Sequence, residues 1–300
     1  MRLITLVGLA ATASMLLLAI TRHLTQDVAP VPFLWVLPLA LYLLSFILCF
    51  DAPRYYARPL FLAALPLSFF ALDRVMDGGL DVPWLVALLC SALFVCCMVC
   101  HGELVRRKPA LRHLTLFYLM LSVGGALGGL FVGLLAPAVF SAYFELPIAL
   151  WATAVLVSCA LWTEIGRRAP RWGRGLLVLA LLLYGARLAG LSLDYVQGYT
   201  EVVRNFYSQT RIEESVDEDG LGPVRSMVHG SITHGEQYLN HPRRATAYYC
   251  ERTGIGRALQ SLPTDRPRQL GVVGLGAGTL AVYGRAGDEM RMYEINDQVL

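Results

Sequence analysis

Apolar residues fill the first two thirds of this chain in blocks long enough to cross a bilayer, and the pattern then changes. The blocks run approximately over residues 3–20, 31–50, 59–72, 82–100, 114–140, 146–163 and 176–191. A crossing helix needs about 20 predominantly apolar residues, so residues 1–191 are predicted to form six to seven transmembrane helices. The third and seventh blocks are the shortest. The seventh also carries Gly185, Arg187 and Gly190. A charge within a span is costly, so this block reads as an interfacial or re-entrant segment. The first block has one early arginine, Arg2, and no small-residue cleavage site before Pro30, so it reads as a span and not as a removable leader.

Beyond Ser192 the periods are those of short strands and one helix. Residues 205–216 alternate weakly, Asp217-Glu218-Asp219-Gly220 is a turn signal, and 224–229 and 232–239 read as further strands. Residues 245–262 read as a helix that Pro263 stops. A strand over 269–273, a glycine turn, a helix starting over 280–285 and a second strand over 290–293 follow. Three regions result: an integral membrane part at 1–191, a β-hairpin lead-in with a helix at 192–263, and a half-site at 264–300.

Hydrophobic residues make up 56% of the chain and charged residues 16%, which is not a soluble balance. The net charge of +3 is too small to argue for nucleic acid, and no basic stripe is interleaved with aromatics, so no nucleic-acid partner is expected. Six of the seven cysteines lie in or beside apolar blocks and only Cys250 lies in the polar region, which argues against a disulfide framework. The lipid bilayer is the partner these numbers imply. Arg54 and Arg58, then Arg106, Arg107, Lys108 and Arg112, then Arg167, Arg168, Arg171 and Arg174 crowd alternate loops, which are therefore expected on the cytoplasmic side. A seventh crossing would carry residues 192–300 out of the cytoplasm; a seventh segment that stays in the interface keeps them inside, and the second is expected.

Cys97-Met98-Val99-Cys100-His101 spells the haem c attachment pattern. It sits beside cytoplasmic bases and lacks a second ligand pair at zinc spacing, so a cysteine-rich helix end, with no metal, is expected. Gly124, Gly125, Gly128, Gly129 and Gly133 fall inside the fifth block and predict close helix packing. Asp27, Arg74 and Asp77, at segment ends, read as solvated loop charges.

The candidate chemistry lies near the C-terminus. Gly274-Leu275-Gly276-Ala277-Gly278-Thr279 follows the strand at 269–273, and Glu294 closes the next strand 20 positions after Gly274. Glycines let a backbone approach a nucleotide-like ligand, and a carboxylate there accepts hydrogen bonds from ribose hydroxyls. Gly274, Gly276, Gly278 and Glu294 are the candidate cofactor-binding residues. His229, His234 and Gln237 crowd one stretch and, with Tyr248, are candidate substrate-binding residues lining a cleft; an exposed hairpin is the alternative. A single strand-turn-strand unit cannot cover both faces of a parallel sheet, so the half-site is expected to be incomplete in these 300 residues.

Several segments together resemble one family. They are Leu24-Thr25-Gln26-Asp27-Val28, Pro32-Phe33-Leu34-Trp35-Val36-Leu37-Pro38, Cys100-His101-Gly102-Glu103-Leu104, Arg204-Asn205-Phe206-Tyr207, Met227-Val228-His229-Gly230, His234-Gly235-Glu236-Gln237, Tyr248-Tyr249, the glycine turn, and Tyr293-Glu294-Ile295. In this order they are similar to the membrane-fused spermidine synthase-like proteins of bacteria. The resemblance implies a multi-pass α-helical membrane region followed by a β-hairpin region and the start (β-α-β) of an α/β Rossmann-like S-adenosyl-binding domain. It implies decarboxylated S-adenosylmethionine or S-adenosylmethionine as co-substrate, a small-molecule amine as acceptor, and the bacterial inner membrane as location. The soluble members' Asp-Gly-x-x-Gln segment corresponds here to His229-Gly230-Ser231-Ile232-Thr233, their Tyr-His-Glu to Tyr248-Tyr249-Cys250, and an Asp of their turn to Ala277. No residue is assigned as the base for an amine, so the 300-residue chain is expected to be inactive. A transporter or membrane scaffold with a ligand-sensing soluble domain is the alternative function, and an NAD-type oxidoreductase a third.

Overall fold

A computed structural model of the protein describes residues 2–27, 31–168, 170–216, 220–230 and 232–299. The expected turn at 217–219, with Val28 and Ser231 of the family-like segments and the side chain of Asp27, lies outside the described residues. The chain divides into two compact units at residues 195 and 196.

The first unit is helical. Its helices are α1 (Arg2–Asp27), α2 (Pro32–Asp51), α3 (Arg58–Asp77), α4 (Val82–Val105), α5 (Leu114–Leu130), the short α6 (Ala136–Val139), α7 (Glu145–Arg168) and α8 (Arg171–Val196). A π turn at Phe131–Leu135 joins α5 to α6, so residues 111–139 form one candidate span. Among the described residues seven helices are long and apolar enough to cross a membrane.

Helices α1 and α4 form the centre. Helix α1 packs against α2, α4, α5 and α7, and Leu9, Ala13, Leu16, Ile20 and Leu24 make its buried face. Those residues recur every three or four positions, the repeat of one helical stripe. In lipid, apolar side chains gain little by leaving their solvent, so helix contact depends on close van der Waals fit. Gly124 and Gly128 provide it, because a methyl group at either would overlap the carbonyl oxygen of Val7 or Ala11 on α1. Gly125, Gly129 and Gly133 face open space.

The features that weakened the seventh block in the sequence are contact points in the structure. Helix α8 is continuous over 26 residues, and its apolar, crossing-length part is Trp172–Val196. A re-entrant segment needs a break in the helix, and α8 has none. Gly185 admits the indole of Trp151, whose Nε1 would lie 2.7 Å from any added Cβ and instead donates to the Leu181 carbonyl. Arg187 reaches Asp77 at 2.7 Å and Asp73 at 3.2 Å on α3, and Tyr184 stacks on Phe69. The acids also explain why α3 outruns its apolar block to Asp77. Arg74 and Asp77, read as solvated loop charges, lie in the last turn of α3 and pair with each other at 2.9 Å on its exposed side.

The second unit contains a four-stranded antiparallel meander of β1 (Glu201–Arg204), β2 (Gln209–Val216), β3 (Pro223–His229) and β4 (Ile232–Tyr238), in that spatial order. A separate parallel pair joins β5 (Gln269–Val273) to β6 (Glu289–Tyr293). The strand expected from 205 is interrupted. Asn205 folds an Asx turn, its Oδ1 accepting from the amides of Tyr207 and Ser208. The helix expected over 245–262 is a 3₁₀ turn at Ala247–Tyr249 and then α9 (Gly254–Ser261), which Thr253 caps by accepting from the Gly256 amide. The helix expected over 280–285 is a 3₁₀ turn at Thr279–Tyr283, ended by the extended Gly284 and by the Asp288 carboxylate accepting from the Arg285 amide. The predicted β-α-β start is thus strand, 3₁₀ turn, strand. Arg268 and Asp288 clamp the strand beginnings: the guanidinium donates to Asp288 and to the carbonyls of Tyr283 and Leu259, and Asp288 Oδ1 accepts from the Arg268 amide.

Replacing Gly128 by Val overfills the α1–α5 contact and is expected to lower stability by about 1–3 kcal/mol. Gly129→Ala, one position along and facing open space, is expected to be neutral or slightly stabilising. Thermal unfolding of the two variants in one detergent checks the contrast.

Candidate functional site

The glycine turn requires its glycines. Gly274, Gly276 and Gly278 have φ of +88°, +55° and +70°, a region that costs a residue with a Cβ about 1–2 kcal/mol. The turn begins where the Gly274 amide donates to the Tyr293 carbonyl at 2.8 Å, continuing the β5–β6 ladder, and it closes where the Gly278 amide donates to Leu275 at 3.0 Å. Gly278 in its left-handed conformation then opens the 3₁₀ turn. Among the described residues, the amides of Gly276 and Ala277 donate to no protein acceptor. Two such neighbouring N–H groups form a small cradle for an oxygen or an anion.

Glu294 is tied to the same turn. Its Oε2 accepts from the Leu275 amide at 2.8 Å, and its Oε1 accepts from the amides of Ile295 and Asn296 at 2.9 Å each. These donors, Asn296 first and Leu275 second, hold the carboxyl below its ordinary range and keep it ionised. Two oxygens offer about four acceptor positions, so one position remains for a ribose hydroxyl. Glu294 thus braces the turn, a role its place in the sequence does not show.

Strand β4 lies against this turn. A Cβ at Gly235 would stand 2.5 Å from that of Ala277, and one at Gly276 would meet the His234 carbonyl at 3.8 Å. Tyr248 donates its hydroxyl to the same carbonyl at 2.7 Å. His234 itself is the extra residue of a β-bulge: Met227 faces Gly235 and Val228 faces Thr233, leaving His234 without a cross-strand partner. Bulges re-aim side chains, and here the His234 ring comes to 4.3 Å from that of His229. His229 Nε2 lies 2.7 Å from the Thr210 hydroxyl. Burial, and secondarily His234, lowers the His229 pKa from the usual 6.5 to about 4, so the ring is neutral at pH 7.

Gly274, Gly276, Gly278 and Glu294 therefore form one cluster, with His234 and Tyr248 at its edge and His229 reached through His234. Gln237 is not joined to it; it is exposed and lies opposite Arg225 in the ladder. One residue missed in the sequence supports the cluster. Asn296 is buried, donates to the Ser208 hydroxyl at 3.2 Å and receives the Asn205 side-chain amide. Its position two residues after the acid was the available signal. Near the helix end noted for its cysteines, His101 Nδ1 lies 2.9 Å from the Ser45 hydroxyl and its ring meets Tyr42 and Phe46 edge-on. Among the described residues no group of three or more His, Cys, Asp or Glu side chains is placed to hold a metal ion.

Comparison of the chain with protein-family models, with curated proteins and with solved structures finds no match.

Two measurements test this geometry. Gly276→Ala and Gly278→Ala are each expected to cost about 1–2 kcal/mol, read as a lower unfolding midpoint of the full chain by near-ultraviolet circular dichroism. His229 binds fewer protons folded than unfolded between pH 4 and 6.5. Its contribution is complete above pH 6.5 and falls away as the pH drops towards 4. His229→Gln is expected to flatten the pH dependence of the midpoint within that window, while the loss due to Glu294, which lies below its ordinary value of 4.5, stays.

Proposed function

We propose that the second unit holds an S-adenosyl-type ligand and that the protein is a membrane-anchored, spermidine synthase-like transferase. One observation carries this reading. Three glycines at positive φ join two parallel strands, and the acid after the second strand is bonded to the turn's own amide. The parallel pair with its short crossover is the order in which a Rossmann-like domain begins, and that assignment belongs to the same proposal. Decarboxylated S-adenosylmethionine or S-adenosylmethionine is the co-substrate. The free amides of Gly276 and Ala277 meet its polar tail or ribose, and Glu294 has one acceptor position for a hydroxyl. A small amine is the acceptor, and the inner membrane of a bacterium the location.

In such a transfer the amine nitrogen forms a bond to the carbon on sulfur while the carbon–sulfur bond breaks. A neutral thioether leaves and the amine releases a proton. The protein's part is alignment of atoms about 3–3.5 Å apart. No catalytic residue is assigned.

Equilibrium binding of both sulfonium compounds to the full chain in detergent is the direct test, with NAD as comparator. Saturable binding is expected, lost in Gly276→Val and weakened about tenfold in Glu294→Gln, the size of one charge-assisted hydrogen bond. Tighter binding of NAD than of either sulfonium compound would sink the reading.

A cytoplasmic donor also requires residues 196–300 on the cytoplasmic side; with the basic loops inside, this means six crossings, with α8 lying as an unbroken helix in the interface although it is long and apolar enough to cross. Cys250 is the one cysteine of this unit, and Cys159 is the exposed cysteine of the first. In a Cys159→Ser background, Cys250 is expected to resist a membrane-impermeant maleimide in intact cells and to react after permeabilisation. Reaction in intact cells favours the ligand-sensing domain of a membrane scaffold instead.

A further inference from the structure

At the basic end of the helical unit a cavity of about 660 Å³ opens between α1, α4, α5 and α7. Its inner wall is an ion cluster. Arg58 donates to Glu103 at 2.7 Å and to Glu164 at 2.7 Å, and Arg107 donates to Glu103 at 2.8 Å and to the Ala160 carbonyl at 2.8 Å. Two guanidiniums thus meet two carboxylates, and this wall is neutral in sum.

The rim is different. Arg106 and Lys108 line the same cavity, both are exposed, and no carboxylate among the described residues pairs with either. The cavity therefore carries two cations that no acid among the described residues balances. Beside them stand Leu3 and Leu116, with 50% and 49% of their surface open. Uncompensated cations next to open leucines, at the end of a membrane helix bundle, are complementary to an amphiphile with an anionic head. A free phosphate ion would use the cations and leave the leucines bare.

We propose that this cavity binds the phosphate group of an anionic glycerophospholipid, with Arg106 and Lys108 on the headgroup and one acyl chain along Leu3 and Leu116. Phosphate is the chemistry recognised, and the leucines select the lipid over the soluble ion.

The test uses the full chain in uncharged detergent and an acyl-labelled phosphatidylglycerol, with phosphatidylcholine and inorganic phosphate as competitors. Saturable binding is expected that phosphatidylcholine does not displace and that phosphate displaces only weakly. At roughly fivefold per cation, Arg106→Ala with Lys108→Ala is expected to weaken binding by about 25-fold. Arg112→Ala removes a neighbouring cation outside the cavity lining and is expected to leave binding unchanged. Leu116→Gln should weaken the lipid and not phosphate. Circular dichroism confirms that each variant keeps its helices. The proposal is overturned if phosphatidylglycerol does not saturate, if Arg112→Ala costs as much as the double variant, or if inorganic phosphate displaces the lipid at equal concentration.

Discussion

Glu103 is fully buried near the end of a transmembrane helix, and the arrangement of the basic end follows from keeping it satisfied. A buried carboxylate without partners is expensive, and breaking such a group's pairs typically costs about 3–5 kcal/mol. Its oxygens receive Arg58 from the start of α3, Arg107 from the turn just past the end of α4, and the hydroxyl of Tyr56 from the connecting loop. Each partner fixes a different piece of chain. The preceding Gly102 belongs to the same device, because a Cβ there would overlap the Tyr56 ring. The His-Gly-Glu at the end of the cysteine-rich helix is thus a joint that sets how α3 leaves α2 and how α7 approaches α4.

The same rule, polar groups paired or at an end and small residues at contacts, accounts for the rest of the bundle. Arg187 crosses from α8 to two aspartates of α3, and Gly185 admits Trp151 two residues earlier. Gly124 and Gly128 bring α5 against α1 at positions four apart on both helices. Each substitutes a specific short contact for the solvent-driven burial that lipid does not offer.

In the second unit the equivalent constraint is the left-handed glycine turn. Its conformation has a local cost that its surroundings offset: the Glu294 carboxylate takes one of its amides, β6 takes another, and Gly235 lets β4 close over it. The bulge at His234 is the matching irregularity on β4 and places two histidine rings in contact beside the turn.

The sequence by itself determined what depends on composition and local period: the helical membrane part, the antiparallel strands, and the need for glycine at 274, 276 and 278. Hydrophobic block length and turn chemistry are local properties, and they survive folding. Where one residue's state depends on a distant one, the sequence was silent or misleading. Arg187 and Gly185 read as breaks in a weak segment because Asp73, Asp77 and Trp151 are far away in the chain. The helices expected at 245–262 and 280–285 shrank because Thr253, Gly284 and Asp288 ended them with hydrogen bonds that propensity does not count. That Glu294 braces the glycine turn was not legible, because its bond to Leu275, 19 residues back, exists only once β5 and β6 pair. Tertiary structure decided those points, since the partners of a buried or clamped polar group are chosen by the fold and not by its neighbours in sequence.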